Sequence, residues 1–231
     1  MRQDPGVSVI AVVPVKRFEL AKQRLEPHLD KRARTALARA MLGDVLDALD
    51  GTRSIDAVVL VSAEPAAALD RRPGGRFVLV ADNEEHGQSK AATIGLARAA
   101  ELDADLAVLL PGDCPALDPA EVDELVQAAG NDDLTIVPDR HGEGTNALAF
   151  GPRDAFSPEF GPGSLARHLA QAKRRGLRYS VLELPSLGLD VDTLSDLAEV
   201  ASLLRRETAR AKLTAAVLRE IEQANRLPIW A

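Results

Sequence analysis

Asp105–Ala120 reads DLAVLLPGDCPALDPA, and this stretch decides the fold. Five apolar residues, Leu106–Leu110, run directly into Pro111-Gly112-Asp113-Cys114-Pro115. A short apolar run stopped by Pro and Gly marks a strand buried on both faces, as in a parallel sheet. Asp113 then stands just past the strand's C-terminal end, the edge where open α/β sheets bind ligands. Asp118-Pro119 opens a helix over Pro119–Ala129, because Asp caps free N–H groups and Pro is pre-shaped for the first helical position. Asp in a Pro/Gly turn is also an ordinary turn residue, so this stretch alone leaves both roles open for Asp113.

The same punctuation extends outward in both directions. Val7–Val15 is a strand by its β-branched content, followed by the loop Lys16–Leu25 with four cations in nine residues. Asp30 would cap a helix over Lys31–Leu49, with Ala33, Leu37, Ala40, Met41, Val45 and Leu49 on one buried stripe and Gly51 ending it. Ala57–Val61, Phe77–Val80, Leu134–Val137, Ala147–Phe150 and Tyr179–Leu184 read as further strands. Ser89–Ala100 and Ser164–Arg175 read as helices, and a pair of helices follows Asp192. Strands alternating with helices predict an α/β fold, a mostly parallel sheet flanked by helices. No repeat or linker divides the chain, so residues 1–231 read as one domain with a helical tail over about 208–231. The end of that tail, Leu227–Ala231 with Trp230, would dock on the body or on a second copy in a homodimer.

Composition sets limits on function. The core must be built from Leu, Val, Ile and Ala, since aromatics are only 3% of the 231 residues. A net charge of −7 argues against a nucleic-acid surface, which needs clustered Lys and Arg. It leaves room for a small anion held by local cations. The one cysteine, Cys114, excludes an intramolecular disulfide and suits a reducing cytoplasm. Val7–Val15 is preceded by Asp4 and followed by no cleavage site, so it is not expected to be a signal peptide. No run approaches the roughly 18 apolar residues of a membrane span.

Several segments carry chemistry. Asp190 and Asp192, two apart in an extended segment, would face the same way. With Asp113 they could offer carboxylates to a hard cation such as Mg²⁺, although Asp192 could instead cap the helix beginning at Thr193. Lys16, Lys22 and Arg24 follow the first strand, where cations can meet phosphates, Lys as a point charge and Arg as a fork. A solvated surface loop would look the same. Gly142-x-Gly144-Thr145-Asn146 offers backbone N–H groups to an anion. Gly161-Pro162-Gly163-Ser164 offers a helix N-terminus capped by Ser164. Ordinary turns explain both loops equally well. There is no P-loop, no G-x-G-x-x-G after the first strand and no zinc-ligand spacing. Cys114 beside Pro115 reads as buried packing.

Taken in order, VVPVKRFELAKQRL, GQSKAATIGLA, LLPGDCPAL, GEGTNAL, FGPGS and LDVDT resemble the guanylyltransferase family of deazaflavin coenzyme (F420) biosynthesis. Those enzymes join GTP to phosphoenolpyruvate or 2-phospho-L-lactate. The likeness spans about Val9–Leu197 and implies the three-layer sandwich of nucleotide-diphospho-sugar transferases. The chain departs from common sugar nucleotidyltransferases, whose Gly-rich loop after the first strand is here Pro14-Val15-Lys16-Arg17-Phe18.

The resemblance implies roles for individual residues. Asp113, Asp190 and Asp192 would hold Mg²⁺, and Lys16, Lys22 and Arg24 would contact the triphosphate, with Lys16, Lys22 and Asp113 serving catalysis. Asn83, Gly87, Gln88 and Ser89 lie where the nucleoside loop falls. Thr145, Gly161 and Ser164 would bind the phosphorylated three-carbon acid. The preferred reaction is GMP transfer from GTP to phosphoenolpyruvate. 2-Phospho-L-lactate and 3-phosphoglycerate are the alternative acceptors, and a sugar phosphate or molybdopterin a more distant one. An unstable enol-phosphate product would favour direct passage to a downstream transferase. A non-catalytic nucleotide-binding module of the same fold is the competing class.

Overall fold

The computed structural model describes residues 7–64, 75–85, 87–206 and 210–225, so Leu227–Ala231 with Trp230 falls outside the described residues. Seven strands form one sheet in the order β3-β2-β1-β4-β6-β5-β7. They are β1 Val9–Val15, β2 Ala57–Ser62, β3 Phe77–Ala81, β4 Leu106–Leu109, β5 Leu134–Pro138, β6 Thr145–Phe150 and β7 Tyr179–Val181. Pairing is parallel from β3 through β4 and again between β5 and β7; β6 alone runs antiparallel to both neighbours. The reason is local. The link from Asp139 to Gly144 is too short for a crossover, which needs a dozen or more residues, so β5 and β6 close as a hairpin.

Helices cover both faces. On one, α1 (Lys31–Gly51) and α3 (Pro119–Ala129) set Val45, Leu49, Val122 and Leu125 against Ala11, Val13 and Val108. On the other, α2 (Gln88–Glu101) and α4 (Ser164–Arg175) set Ala92, Leu96, Ala99 and Ala172 against Val12, Leu109 and Leu148. Aliphatic and Ala side chains let α2 approach closely. A Cβ at Gly95 would overlap Val12 Cγ1 and lie 3.0 Å from Val61 Cγ2.

The helical pair at the end adds a partial fourth layer. A short turn α5 (Pro185–Gly188) leads to α6 (Leu194–Arg206) and α7 (Lys212–Asn225). These pack Leu197, Val200 and Leu218 on Leu37 and Met41 of α1. Hence α1 buries two faces, not the one stripe its spacing predicts: Leu42, Val45 and Leu49 face the sheet and Leu37 and Met41 face α7. Asp44 on α1 accepts the N–H groups of Leu213 and Thr214 and so fixes the start of α7. Asp30 caps α1 by accepting Ala33 N–H, as expected, but Gly51 lies inside the helix and Thr52 closes it. Thr52 does so through its N–H to Leu49 and its hydroxyl to the Ala48 carbonyl.

Candidate active site

The chain runs β1, β2, β3 outward on one side of β1 and resumes at β4 on the other. That reversal opens a crevice at the C-terminal ends of β1 and β4, the place where α/β sheets receive ligands. A cleft of about 530 Å³ occupies it. Its walls come from Pro14–Lys16 at the end of β1, Lys22–Arg24 in the segment that follows, Gly87 and Gln88 at the start of α2, Pro111–Asp113 after β4, and Asp192.

Lys22 stands at the centre of the charges. Its side chain is 6% exposed, with Nζ 2.5 Å from Asp113 Oδ2 and 3.3 Å from Asp192 Oδ1. Burial opposes its charge, but Asp113, Asp192 and Asp190 together outweigh that and hold its pKa above the usual lysine value. The backbone at Lys22 is left-handed, φ 54°, a conformation a non-Gly residue adopts at some cost. Arg24 reaches Asp192 from solvent at 3.0 Å. Asp190 lies deeper and accepts Asn146 Nδ2–H at 3.1 Å. Burial, then the neighbouring Asp113 and Asp192 charges, pushes its pKa up to about 6.

Asp192 does not cap α6. That task falls to Thr193 and Asp196: Thr193 Oγ1 accepts Asp196 N–H, and Asp196 Oδ2 accepts the N–H groups of Asp192 and Thr193. The Asp192 carboxylate is thereby left for Lys22 and Arg24. Asp196 is buried, which works against its charge, yet those N–H groups, the Thr193 hydroxyl and Arg140 hold it below the usual carboxylate range.

The second half of the site is built on β6 and α4. Thr145 Oγ1 lies 2.9 Å from His168 Nδ1. Gly163, φ 69°, is the residue before α4, so Ser164 is its first helical residue and not the cap that the sequence predicts. The Ser164 hydroxyl is buried with no hydrogen-bond partner among the described residues, an unmet polar group of the kind that calls for a ligand or water. Ser164 and His168 are four apart and so share one face of α4. Gly161 (φ 110°) turns the loop, and the Arg167 guanidinium gathers the carbonyls of Glu159, Phe160, Gly161 and Pro162. Of the two roles the sequence leaves open for the Gly142–Gly144 loop, anion cradle or ordinary turn, the geometry is that of the turn. Asp139 fills it, its carboxylate accepting the N–H groups of His141 and Glu143.

The two halves are joined by a register slip. Val137 and Pro138 of β5 oppose Ala147 and Thr145 of β6, so Asn146 is one residue extra. A bulge re-aims side chains. Thr145 turns to α4, while Asn146 turns the other way, donating to the Leu187 carbonyl and to Asp190. A second link is Phe160 N–H donating to Ser89 Oγ, which ties the Gly161 loop to α2.

Of the residues singled out from sequence, Lys16, Lys22, Arg24, Gly87, Gln88, Asp113 and Asp192 line the cleft. Asp190 adjoins it through the charges of Lys22 and Asp113. Thr145, Gly161 and Ser164 form the neighbouring loop cluster, outside the cleft walls. Asn83 is exposed and outside them too, and Ser89 serves as the anchor for Phe160. Cys114 is fully buried, its thiol pushed up by burial, and donates to the Leu187 carbonyl. Sequence reasoning missed the roles of Asn146 and His168. For His168 the available signal was its place one turn after Ser164 on the same helix face.

The family model for "Guanylyl transferase CofC like" matches residues 9–221. A phosphoenolpyruvate guanylyltransferase of Conexibacter woesei is 42% identical over 95% of this chain and 99% of its own. A 2-phospho-L-lactate guanylyltransferase of Methanothermobacter thermautotrophicus is 36% identical over 82% of each chain. Among solved structures, one described as a nucleotide-diphospho-sugar transferase of Desulfovibrio desulfuricans G20 superposes with a TM-score of 0.74. It is 19% identical and covers 94% of this chain and 96% of its own.

Proposed function

The chain belongs to the CofC-like guanylyl transferase family, and we propose that its acceptor is phosphoenolpyruvate, in the assembly of coenzyme F420. On this reading residues 1–231 act as one domain in the cytoplasm. The observation that carries the reading is the meeting, at the C-terminal ends of β1 and β4, of Lys16, Lys22 and Arg24 with Asp113, Asp190 and Asp192. Phosphoenolpyruvate is favoured over 2-phospho-L-lactate by the higher identity of the relative bearing that name.

An oxygen of the acceptor's phosphate attacks the α-phosphorus of GTP in line. The new P–O bond forms as the bond between the α-phosphorus and the bridging oxygen breaks, and pyrophosphate leaves with that oxygen. A phosphate monoester is already a dianion near neutral pH, so no side chain need remove a proton. The protein's task is to bring two polyanions together and to neutralise charge that grows on the leaving group. Lys16 and Arg24 at the cleft rim suit the triphosphate. Lys22 stands between the rim and the carboxylates. Gly87 and Gln88, at the start of α2, border the nucleoside end on this reading, with Asn83 on the loop before them and Ser89 next in the helix. The Thr145 and Ser164 hydroxyls, beside the Gly161 turn, suit the phospho-acid, and the unpartnered Ser164 hydroxyl supports that assignment.

The donor set fits a divalent cation. Three carboxylates face one buried ammonium, and burial first, then the neighbouring Asp113 and Asp192 charges, raises the Asp190 pKa to about 6. Among the described residues no three metal-binding side chains form a cage by themselves. Mg²⁺ needs none, since it commonly binds one or two carboxylates together with substrate phosphates. Asp113, Asp190 and Asp192 would hold it, in competition with Lys22, and when bound it would act as a Lewis acid on phosphate oxygens.

The test is pyrophosphate release from GTP and Mg²⁺ with phosphoenolpyruvate, 2-phospho-L-lactate and 3-phosphoglycerate in parallel. A preference of about tenfold or more in kcat/KM for phosphoenolpyruvate, about 1.4 kcal/mol, is the expected result. Preference for another acid would overturn the acceptor assignment alone, and GTP left intact with all three would overturn the site reading.

A further inference from the structure

We propose that His168 is a positioning residue that donates to the Thr145 hydroxyl and so leaves the hydroxyl hydrogen free for the ligand of Thr145. The inference deepens the reading above and rests on Thr145 contacting the acceptor phospho-acid.

One proton on the imidazole decides the arrangement. Glu159 N–H lies 2.8 Å from His168 Nε2, and a backbone amide can only donate, so Nε2 carries the lone pair. Burial, then the nearby Arg167 charge, lowers the imidazole pKa to about 4, which keeps the ring neutral at physiological pH. A neutral ring with an unprotonated Nε2 has its hydrogen on Nδ1. That hydrogen faces Thr145 Oγ1 at 2.9 Å. Thr145 therefore accepts from His168, and its own hydrogen must point elsewhere. Phe156 and Phe160 both pack near the ring, each with its centroid 5.7 Å from the imidazole centroid.

The consequence is chemical selectivity. Phosphate and carboxylate oxygens of a fully ionised phospho-acid only accept hydrogen bonds. A threonine that donated to the imidazole would have no hydrogen left for them; one that accepts from Nδ1–H keeps its hydrogen to donate. In the opposite tautomer Thr145 would donate to Nδ1 and the Glu159 N–H would confront a second N–H.

Two near-isosteric variants separate the functions of the two ring nitrogens. His168→Asn places an amide near the Nδ1 position, able to donate to Thr145, while leaving Glu159 N–H unpaired. His168→Gln reaches the Nε2 position and can accept from Glu159 while leaving Thr145 unheld. The acceptor KM should rise by about 10-fold or more in His168→Gln and by less in His168→Asn, with the KM for GTP little changed in either. The reverse order, or equal effects, would overturn the proposal and make His168 a loop anchor.

Thr145→Val separates this proposal from the reading on which it rests. If Thr145→Val raises the acceptor KM and His168→Gln adds little on that background, the two act as a unit. Full additivity would overturn the positioning role and leave the acceptor site standing. An unchanged acceptor KM in Thr145→Val would overturn both. Long-range ¹H–¹⁵N NMR of the unsubstituted protein reads the tautomer without any variant: an Nδ1–H, Nε2-unprotonated signature is expected, and an Nε2–H signature would overturn the proposal.

Discussion

Lys22 Nζ lies 2.5 Å from Asp113 Oδ2, although 91 residues separate the two in the chain. The first follows β1 and the second follows β4, adjacent parallel strands, so the pair spans the crevice between them. The contact is made from a left-handed residue with its side chain almost wholly enclosed, a conformation that persists where the surroundings demand it. Replacing Lys22 by Met should reduce turnover by about 10²–10³-fold, the scale for removing one electrostatic group from a transferring centre. It should also lower the melting temperature at pH 7, since three carboxylates lose their buried counter-charge. Pyrophosphate release and thermal melts read both effects, and a Lys22→Met enzyme with the original rate would remove Lys22 from the mechanism.

Asp192→Ala should separate activity from folding. The Asp192 side chain is 44% exposed and bonded to Lys22 and Arg24, so its loss should change stability by less than about 1 kcal/mol. Turnover should nonetheless fall by about 10²-fold or more, and raising Mg²⁺ should recover part of it. Near-original activity at low Mg²⁺ would refute a metal role for this carboxylate.

Asp190→Asn should stabilise the protein while abolishing activity. The carboxyl of Asp190 has a folded-state pKa of about 6, above its unfolded value. A group raised in this way contributes its full stability below the unfolded pKa and loses it as pH rises through the folded one. The window is therefore about pH 4 to 6, and above it Asp190 costs on the order of 3 kcal/mol. The amide should remove that cost at pH 8 and have little effect at pH 4. Metal-free melts at the two pH values check the sign, and equal shifts at both would contradict it.

Gly95→Ala should destabilise by about 1–3 kcal/mol, the usual penalty for overpacking, because the added methyl would overlap Val12 on β1. Since Gly87 and Gln88 lead into the same helix and line the cleft, the KM for GTP should rise as well. Urea titration and steady-state kinetics measure the two separately. An unaltered midpoint would show that α2 can shift freely on the sheet.

Legibility from sequence followed the range of the physics involved. The strand at Leu106–Leu109 and helix α3 were readable because an apolar run, a Pro/Gly stop and an Asp-Pro cap are all local. The second buried face of α1 was not, since Leu37 and Met41 on one side and Leu42 and Leu46 on the other look alike until α7 is known to lie outside. At the site, residue types announced the cations and carboxylates. Their pairing did not show: nothing near Lys22 in the chain says that its ammonium sits between Asp113 and Asp192. The choice between anion cradle and ordinary turn at Gly142–Gly144 was open for a related reason, because Asp139 accepts the N–H groups from within the loop. His168 lacked the spacing of a metal ligand, and its two hydrogen bonds are visible only in three dimensions.

The extra residue at Asn146 works like a half-step in a staircase. Two neighbours that simple alternation would assign to fixed sides of the sheet are rotated so that one serves α4 and the other serves Asp190. A change of side chain there can weaken either hold, but only a change in chain length can exchange them. The spacing between the Thr145 and Asp190 sides of the site is thus written into residue count, and it would drift by insertion or deletion rather than by substitution.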